Sequence, residues 1–272
     1  MDNFSEFERP LAPQKDSGSI ISHAWENYKG VILYNLAFIL LSVLISFFIS
    51  TFISIFITTD DSTKNALNEI IENISKGKQI DYESISKIQE NQSFGATILS
   101  FLSSTLFGAL IYPLTAGILY INYKYNSKKE INVDDFFIGY RQNTKNIIIY
   151  GFLITVVVSG IITLFKLIAG PSFIFSFLAI LISIYISIIT FLGLPIVFFE
   201  NALPKDAIKK SMETVNQNFS VIFITLILAL LIAFSGFLIC CIGIFLTAGF
   251  IYSVQYSTYC AYCGTPYEVN KN

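Results

Sequence analysis

Charged side chains are scarce in this chain of 272 residues. Only 13% of the residues are Asp, Glu, Lys or Arg, while 54% are hydrophobic, and soluble globular proteins carry about 25% charged residues. The formal net charge of −2 leaves no basic excess for contacting a nucleic acid. The composition therefore predicts an integral membrane protein whose first partner is the lipid bilayer, with no nucleic-acid partner.

Side chains suited to metal or nucleophilic chemistry are also few, because the sequence contains one histidine and four cysteines. It contains no Ser-His-Asp set, no HExxH motif, no glycine-rich phosphate-binding loop and no EF-hand pattern. We therefore expect no catalytic residue and no cofactor. An enzyme acting on a lipid or an isoprenoid ranks last among the functions considered.

Two cysteines, Cys260 and Cys263, form a CxxC motif where the last apolar segment ends. A structural zinc ion needs four ligands, and a redox pair needs a thioredoxin-like setting. Cys240 and Cys241 lie about twenty residues away, so a helix would place them near the opposite membrane face. Cys260 and Cys263 are interpreted as thiols without a specific role. They are weak candidates for metal ligands, and metal binding or redox chemistry is the alternative.

Long apolar runs dominate the rest of the chain. Residues 31–57 carry no charge and would form a helix roughly 40 Å long, against a hydrocarbon core of about 30 Å. This run is too long for a cleavable signal peptide, so it is expected to stay as an anchor. Further spans are predicted at residues 95–123, 147–168 and 172–199, with two more in 219–262 around a turn near 236–243.

Three amphipathic segments precede these spans and share one spacing of apolar positions, namely 0, +1 and +4. The first, for which Ser19 is the expected N-cap, contains Ile20, Ile21 and Ala24; the second contains Phe136, Phe137 and Tyr140, and the third Ala207, Ile208, Ser211. The predicted fold is all-α and integral to the membrane, with six transmembrane helices in three repeats of interfacial helix plus two spans.

The distribution of Lys and Arg predicts the orientation, because cytoplasmic segments carry an excess of both. Twelve of these residues lie in the segments on the side of the termini, and four lie in the loop of residues 58–94. Both termini are therefore expected in the cytoplasm. The predicted domains are a mobile cytoplasmic tail (1–18), a membrane domain (19–262) with an extracytoplasmic helical hairpin (58–94), and a cytoplasmic tail (263–272).

Four polar residues are candidates for a structural or functional role: Glu200, Lys205, Lys166 and Ser211. Lys166 is the one charge inside a predicted span, and its position predicts an ammonium group that reaches the outer interface. Glu200 ends the fourth span, where it is expected to pair with Lys205 or another base of the following surface helix. Substrate binding at Glu200 is the alternative.

Two further polar features have ordinary structural interpretations. His23 lies beside Trp25 on the first surface helix, and we expect it to be solvated among the lipid headgroups. Serines recur at every fourth residue of the first span, which favours close helix packing, with a polar transport path as the alternative; they are Ser42, Ser46, Ser50 and Ser54.

Residues 195–262 resemble a group of six-span bacterial membrane proteins that includes the membrane domain attached to some glycerophosphoryl diester phosphodiesterases. The resemblance is carried by Glu200, by the helix with Ala207, Ser211, Val215 and Phe219, and by an apolar hairpin with Cys241, Ile242, Gly243 and Thr247. Where that group often has a proline after the last hairpin, this chain has Ala248 and Gly249. The resemblance implies a membrane module without the phosphodiesterase reaction.

These features together favour a non-enzymatic protein of the bacterial inner membrane. The expected role is a scaffold or an accessory subunit of a membrane complex that binds lipid, with a membrane-protein partner or a second copy of the chain. A transporter or permease for a lipid or another small molecule is the alternative.

Overall fold

A computed structural model describes residues 12–56, 68, 71–76, 94–169, 173–239 and 243–266. Regular structure in these residues is helical, and it includes one 3-10 helix at Val133–Tyr140. The α-helices are α1 (Ser17–Phe56), α2 (Phe94–Asn126), α3 (Thr144–Ala169), α4 (Phe173–Ile189), α5 (Gly193–Phe199), α6 (Pro204–Gln217), α7 (Phe219–Ile239), α8 (Gly243–Thr247) and α9 (Phe250–Cys263).

Five helical segments within the described ranges are long and apolar enough to cross a membrane. This finding confirms the all-helical, multi-pass class that the composition predicts. The segments are Ser17–Phe52, Thr97–Asn126, Thr144–Ile168, Phe173–Phe199 and Phe219–Phe237. The predicted sixth span corresponds to α8 and α9, which are separated by a turn at Ala248 and Gly249 and therefore do not form one long helix.

The first predicted surface helix is continuous with the first span, because α1 passes through Gly30 without a break. The missing side chain of Gly30 makes room for a neighbour, since a Cβ atom there would lie 2.0 Å from the ring of Tyr125. Ser19 does not cap the helix as expected. Its backbone N–H donates instead to Asp16 Oδ1 over 2.8 Å, so Asp16 is the capping residue.

The second predicted surface helix is a 3-10 helix, which explains which of its apolar residues are buried. With three residues per turn, side chains three apart lie on one side, and Phe136 and Gly139 are the buried pair while Phe137 and Tyr140 are exposed. The start of the 3-10 helix is capped, because Asp135 Oδ2 accepts a hydrogen bond of 2.7 Å from the Asn132 N–H. The third, α6, is an ordinary α-helix that buries Ala207, Ser211 and Val215.

The chain divides into two compact units, of which the first comprises Met1–Val43, Leu110–Gly151 and Ile188–Asn272. Within this unit the start of α1 packs antiparallel to α9. His23 bonds to Ser257 near one end of the contact, and a Cβ atom on Gly249 would lie 2.6 Å from Asn35 near the other. The core between them includes Ala24, Tyr28, Ala229, Phe250 and Val254.

The predicted fourth span is interrupted in the same unit, where the turn Thr190–Leu192 separates α4 from α5. Hydrocarbon provides no water for the released backbone groups, so other helices must bind them. Ser211 Oγ donates to the carbonyl of Ile189 over 2.9 Å and accepts from the N–H of Leu192 over 3.1 Å. Tyr150 donates to the carbonyl of Thr190 over 2.8 Å, and Gln255 donates to the carbonyl of Phe191 over 2.6 Å.

The second unit comprises Leu44–Ala109 and Phe152–Ser187. Its described part contains the end of α1, the beginning of α2, the end of α3 and most of α4. Most of the predicted extracytoplasmic hairpin lies outside the described residues. Residues 71–75 within it are helical, with Ile71 and Ile74 both 57% exposed.

A close backbone contact between α2 and the 3-10 helix generates a prediction. A Cβ atom on Gly117 would lie 2.1 Å from the carbonyl oxygen of Phe136, so Gly117→Ala should force the backbones apart and cost about 1–3 kcal/mol. Gly160→Ala is the matched control within a helix, because its nearest neighbour would be 3.8 Å away. The midpoint of thermal unfolding in detergent should fall for the first variant alone. Equal midpoints would contradict the contact.

Candidate functional site

His23 lies in the interior of the first unit and is only 6% exposed, so its predicted place among the lipid headgroups is wrong. The buried face of α1 follows Ile20, Ala24, Asn27 and Val31, and His23 lies on this face. Trp25, two residues further along the helix, is 44% exposed. The error arises because the face that packs against α9 is partly polar.

A hydrogen-bonded network surrounds the imidazole. His23 Nδ1 lies 2.8 Å from Ser257 Oγ and 3.4 Å from Asn27 Nδ2, and His23 Nε2 lies 3.1 Å from Asn126 Oδ1. A neutral ring with its proton on Nε2 fits the two shorter contacts, because it donates to the Asn126 amide oxygen and accepts from the Ser257 hydroxyl at Nδ1. The other amide atom of Asn126 donates to the Tyr256 hydroxyl over 3.1 Å.

The network continues one turn along two of the helices. Ser253 Oγ donates to Asn122 Oδ1 over 2.7 Å, and Asn122 Nδ2 donates to a carbonyl of its own helix. Asn122 and Ser253 are both fully buried. The polar side chains therefore join α1, α2 and α9 of the first unit at His23, and α2 and α9 again at Asn122 and Ser253.

The order Ser257, His23, Asn126 places a hydroxyl next to a base, with a third group that orients the base, as in nucleophilic catalysis. A nucleophile must also reach its substrate, and Ser257 is 0% exposed. The amide of Asn126 is neutral and cannot stabilise an imidazolium ion as a carboxylate does. The arrangement is therefore suited to joining helices.

Two amide oxygens on the buried face of α1 have no hydrogen-bond partner among the described residues, namely Asn27 Oδ1 and Asn35 Oδ1. Both residues are fully buried. Asn35 donates through Nδ2 to the carbonyl of Val31 over 3.2 Å, and its Cβ atom lies against Gly249 at the turn between α8 and α9. Unpaired buried oxygens of this kind cost about 1–3 kcal/mol each.

Glu200 forms an ion pair at the end of α5. Both carboxylate oxygens accept from Lys210 Nζ, over 2.6 and 2.7 Å, and the Tyr259 hydroxyl donates to the same carboxylate over 3.4 Å. The partner is thus another base of the following helix, as one of the two expectations stated, and Lys205 does not take this place. At 28% and 47% side-chain exposure, such a pair contributes about 0–1 kcal/mol.

The two cysteines of the CxxC motif differ in burial, since Cys260 is buried and Cys263 is half-buried. A thiolate is the form of cysteine that binds metals. No cluster of three or more metal-ligating side chains occurs in the part of the chain that the structure describes. Cys240 and Cys241 lie outside the described residues.

The remaining candidates lie apart from this network. Ser211 closes the turn between α4 and α5, and Lys166 lies in the second unit with an exposed side chain. Ser42 donates to the carbonyl of Phe38 over 2.8 Å, so its hydroxyl is satisfied within its own helix. The side chain of Ser54 lies outside the described residues.

Comparison with models of protein families, with curated proteins and with solved structures finds no match.

No sequence motif identifies the hydrogen-bond partners of His23, but the spacing of polar residues in two apolar segments indicates them. Asn122 and Asn126 are four residues apart in an apolar helix, and so are Ser253 and Ser257 in another. Polar residues at this spacing share one helix face. Which two faces meet is decided only by packing.

The network predicts a large effect of removing its central ring. His23→Leu leaves Asn126 Oδ1 and the Ser257 hydroxyl without their bonds to the imidazole and should cost about 1–3 kcal/mol, with a smaller loss for His23→Gln. The control is Lys29→Ala, whose ammonium pairs with Glu26 on the exposed side of α1 and should change stability by about 0.5 kcal/mol at most. Fluorescence of Trp25, the one tryptophan, reports unfolding. Equal midpoints for His23→Leu and Lys29→Ala would contradict the role of the network.

Proposed function

We propose that this chain is a non-enzymatic protein of the bacterial inner membrane that acts as a scaffold or an accessory subunit of a membrane complex and binds lipid. The observation that carries the proposal is the use of its polar side chains. In the first unit, His23, Ser211 and Glu200 all bond to neighbouring helices or turns. A catalytic or transport site would need such groups directed towards a space that a substrate can enter.

The exposed surface of the long helices supports the same proposal. Large apolar side chains point away from the protein on α1, α4 and α7, among them Phe52, Phe173, Phe177, Phe234 and Phe237, each more than half exposed. Surface of this kind in a soluble monomer would be a liability, whereas lipid chains and the spans of a partner cover it at no cost. The surface is thus suited to a protein that works by contact within the bilayer.

The proposed architecture has six spans in three repeats, with both termini in the cytoplasm. The sixth span is α8 and α9 taken together, which cover residues 243–263 with a turn at Ala248 and Gly249. That turn occupies the place where the resembling bacterial group often has a proline. The Lys and Arg bias supports the orientation. A reporter enzyme fused after Asn272 that works only outside the cytoplasm should stay inactive, and activity would overturn the orientation.

The proposed role predicts what accompanies the purified chain. In a mild detergent, native mass spectrometry should give a mass above that of the 30.5 kDa monomer, from a second copy or a membrane-protein partner in fixed stoichiometry, with lipid bound. An unrelated helical membrane protein of similar size, taken through the same detergent, controls for trapped lipid. A lipid-free monomer would contradict the proposal.

A transporter is the second candidate, favoured by the two interrupted helices of the first unit. Transporters commonly form their sites where membrane helices are interrupted, and the unpartnered oxygen of Asn35 lies beside Gly249 at one such turn. Substitution of Asn35 by cysteine would distinguish the candidates. Reaction of that thiol with a water-soluble reagent in intact membranes favours the transporter, and protection favours the scaffold.

A further inference from the structure

A cavity of about 210 Å³ lies between α2 and α3 in the second unit. Its lining contains one ammonium group and five hydroxyl groups on two helices that are otherwise strongly apolar, together with the apolar side chains of Phe101 and Ile162. The polar lining residues are Thr97, Ser100, Ser104, Ser159, Thr163 and Lys166.

The spacing of these residues explains why they meet. Positions 97, 100 and 104 share one face of α2, and positions 159, 163 and 166 share one face of α3, because each step is three or four residues. The two helices approach each other closely at Gly108, where a Cβ atom would lie 2.1 Å from Thr155 Oγ1. At Gly160 the nearest neighbour of such a Cβ atom would be 3.8 Å away, in the ring of Phe101. Phe101 also lines the cavity.

The charge in this cavity is not neutralised by the described part of the second unit. Glu72 and Lys76 in that part pair with each other, and Lys166 has no ion pair with any described residue. The lining contains no carboxylate. A cation beside apolar helices favours a counter-ion, because separated charge is costly where water is scarce.

The hydroxyl groups differ in whether they can donate to a ligand. Ser104 and Ser159 donate to carbonyls of their own helices, at Phe101 and Thr155. Within the described residues, the hydroxyls of Thr97, Ser100 and Thr163 donate no hydrogen bond to a carbonyl of their own helix. With the Lys166 ammonium they form a set of four donor groups, which matches an anion with several acceptor oxygens.

We infer that this cavity binds a phosphate ester anion, with Lys166 as the charged ligand and the hydroxyls of Thr97, Ser100 and Thr163 as further donors. The headgroup of a bilayer lipid is the favoured source. Leu102, Leu106 and Leu164, all more than half exposed on the same two helices, offer a surface for its acyl chains. The inference depends on the proposed membrane location and adds a class of lipid to it.

The test measures binding of phosphatidylglycerol to the full chain in detergent by native mass spectrometry. Lys166→Gln should weaken binding about tenfold, as expected for loss of a charged hydrogen bond, and Thr163→Val should weaken it less. Lys145→Gln is the matched control, because Lys145 is exposed near the other end of the same helix. Unfolding midpoints confirm that the variants are folded.

A second arm uses inorganic phosphate alone to identify the source of the anion. Stabilisation by phosphate that is lost in Lys166→Gln, without a change in bound lipid, supports the anion site and overturns its assignment to a lipid. If Lys166→Gln and Lys145→Gln bind lipid and phosphate as the unchanged protein does, the inference is overturned altogether. The proposed scaffold role would still stand in that case if the chain retained its partner or its second copy.

Discussion

Backbone groups released from a helix inside a membrane protein need partners within the protein, because hydrocarbon offers them none. The turn between α4 and α5 depends on this constraint. Ser211 binds both a carbonyl and an N–H group there, while Tyr150 and Gln255 bind the next two carbonyls. These donors come from α6, α3 and α9. One interruption of a helix therefore determines how three other helices of the first unit must be placed.

The buried side chains around His23 are under the same constraint, because they also need hydrogen-bond partners within the protein. Each polar group has to face a complementary one, so α1, α2 and α9 can meet in few registers. A shift of one residue would separate His23 from Ser257 and Asn126 and leave their polar atoms unpaired. The network thus stabilises one arrangement of these helices and leaves the Ser257 side chain fully buried.

Polar groups of the second unit are used differently. Hydroxyl groups and the ammonium group on α2 and α3 line a cavity, whereas the side chains around His23 in the first unit bond mainly to one another. In the proposed role, the hydrogen-bonded network would hold α1, α2 and α9 in a constant arrangement, and the cavity would bind the headgroup of a lipid.

Composition and local periodicity determined that the chain is helical and apolar and where its long apolar segments lie, and they predicted that Glu200 pairs with a base of the next helix. These properties depend on residues a few positions apart. Tertiary structure alone decided that Lys210 is that base, that His23 is buried, and that α1 runs on without a break. Such outcomes depend on which helix faces meet, and side chains distant in the sequence determine that choice.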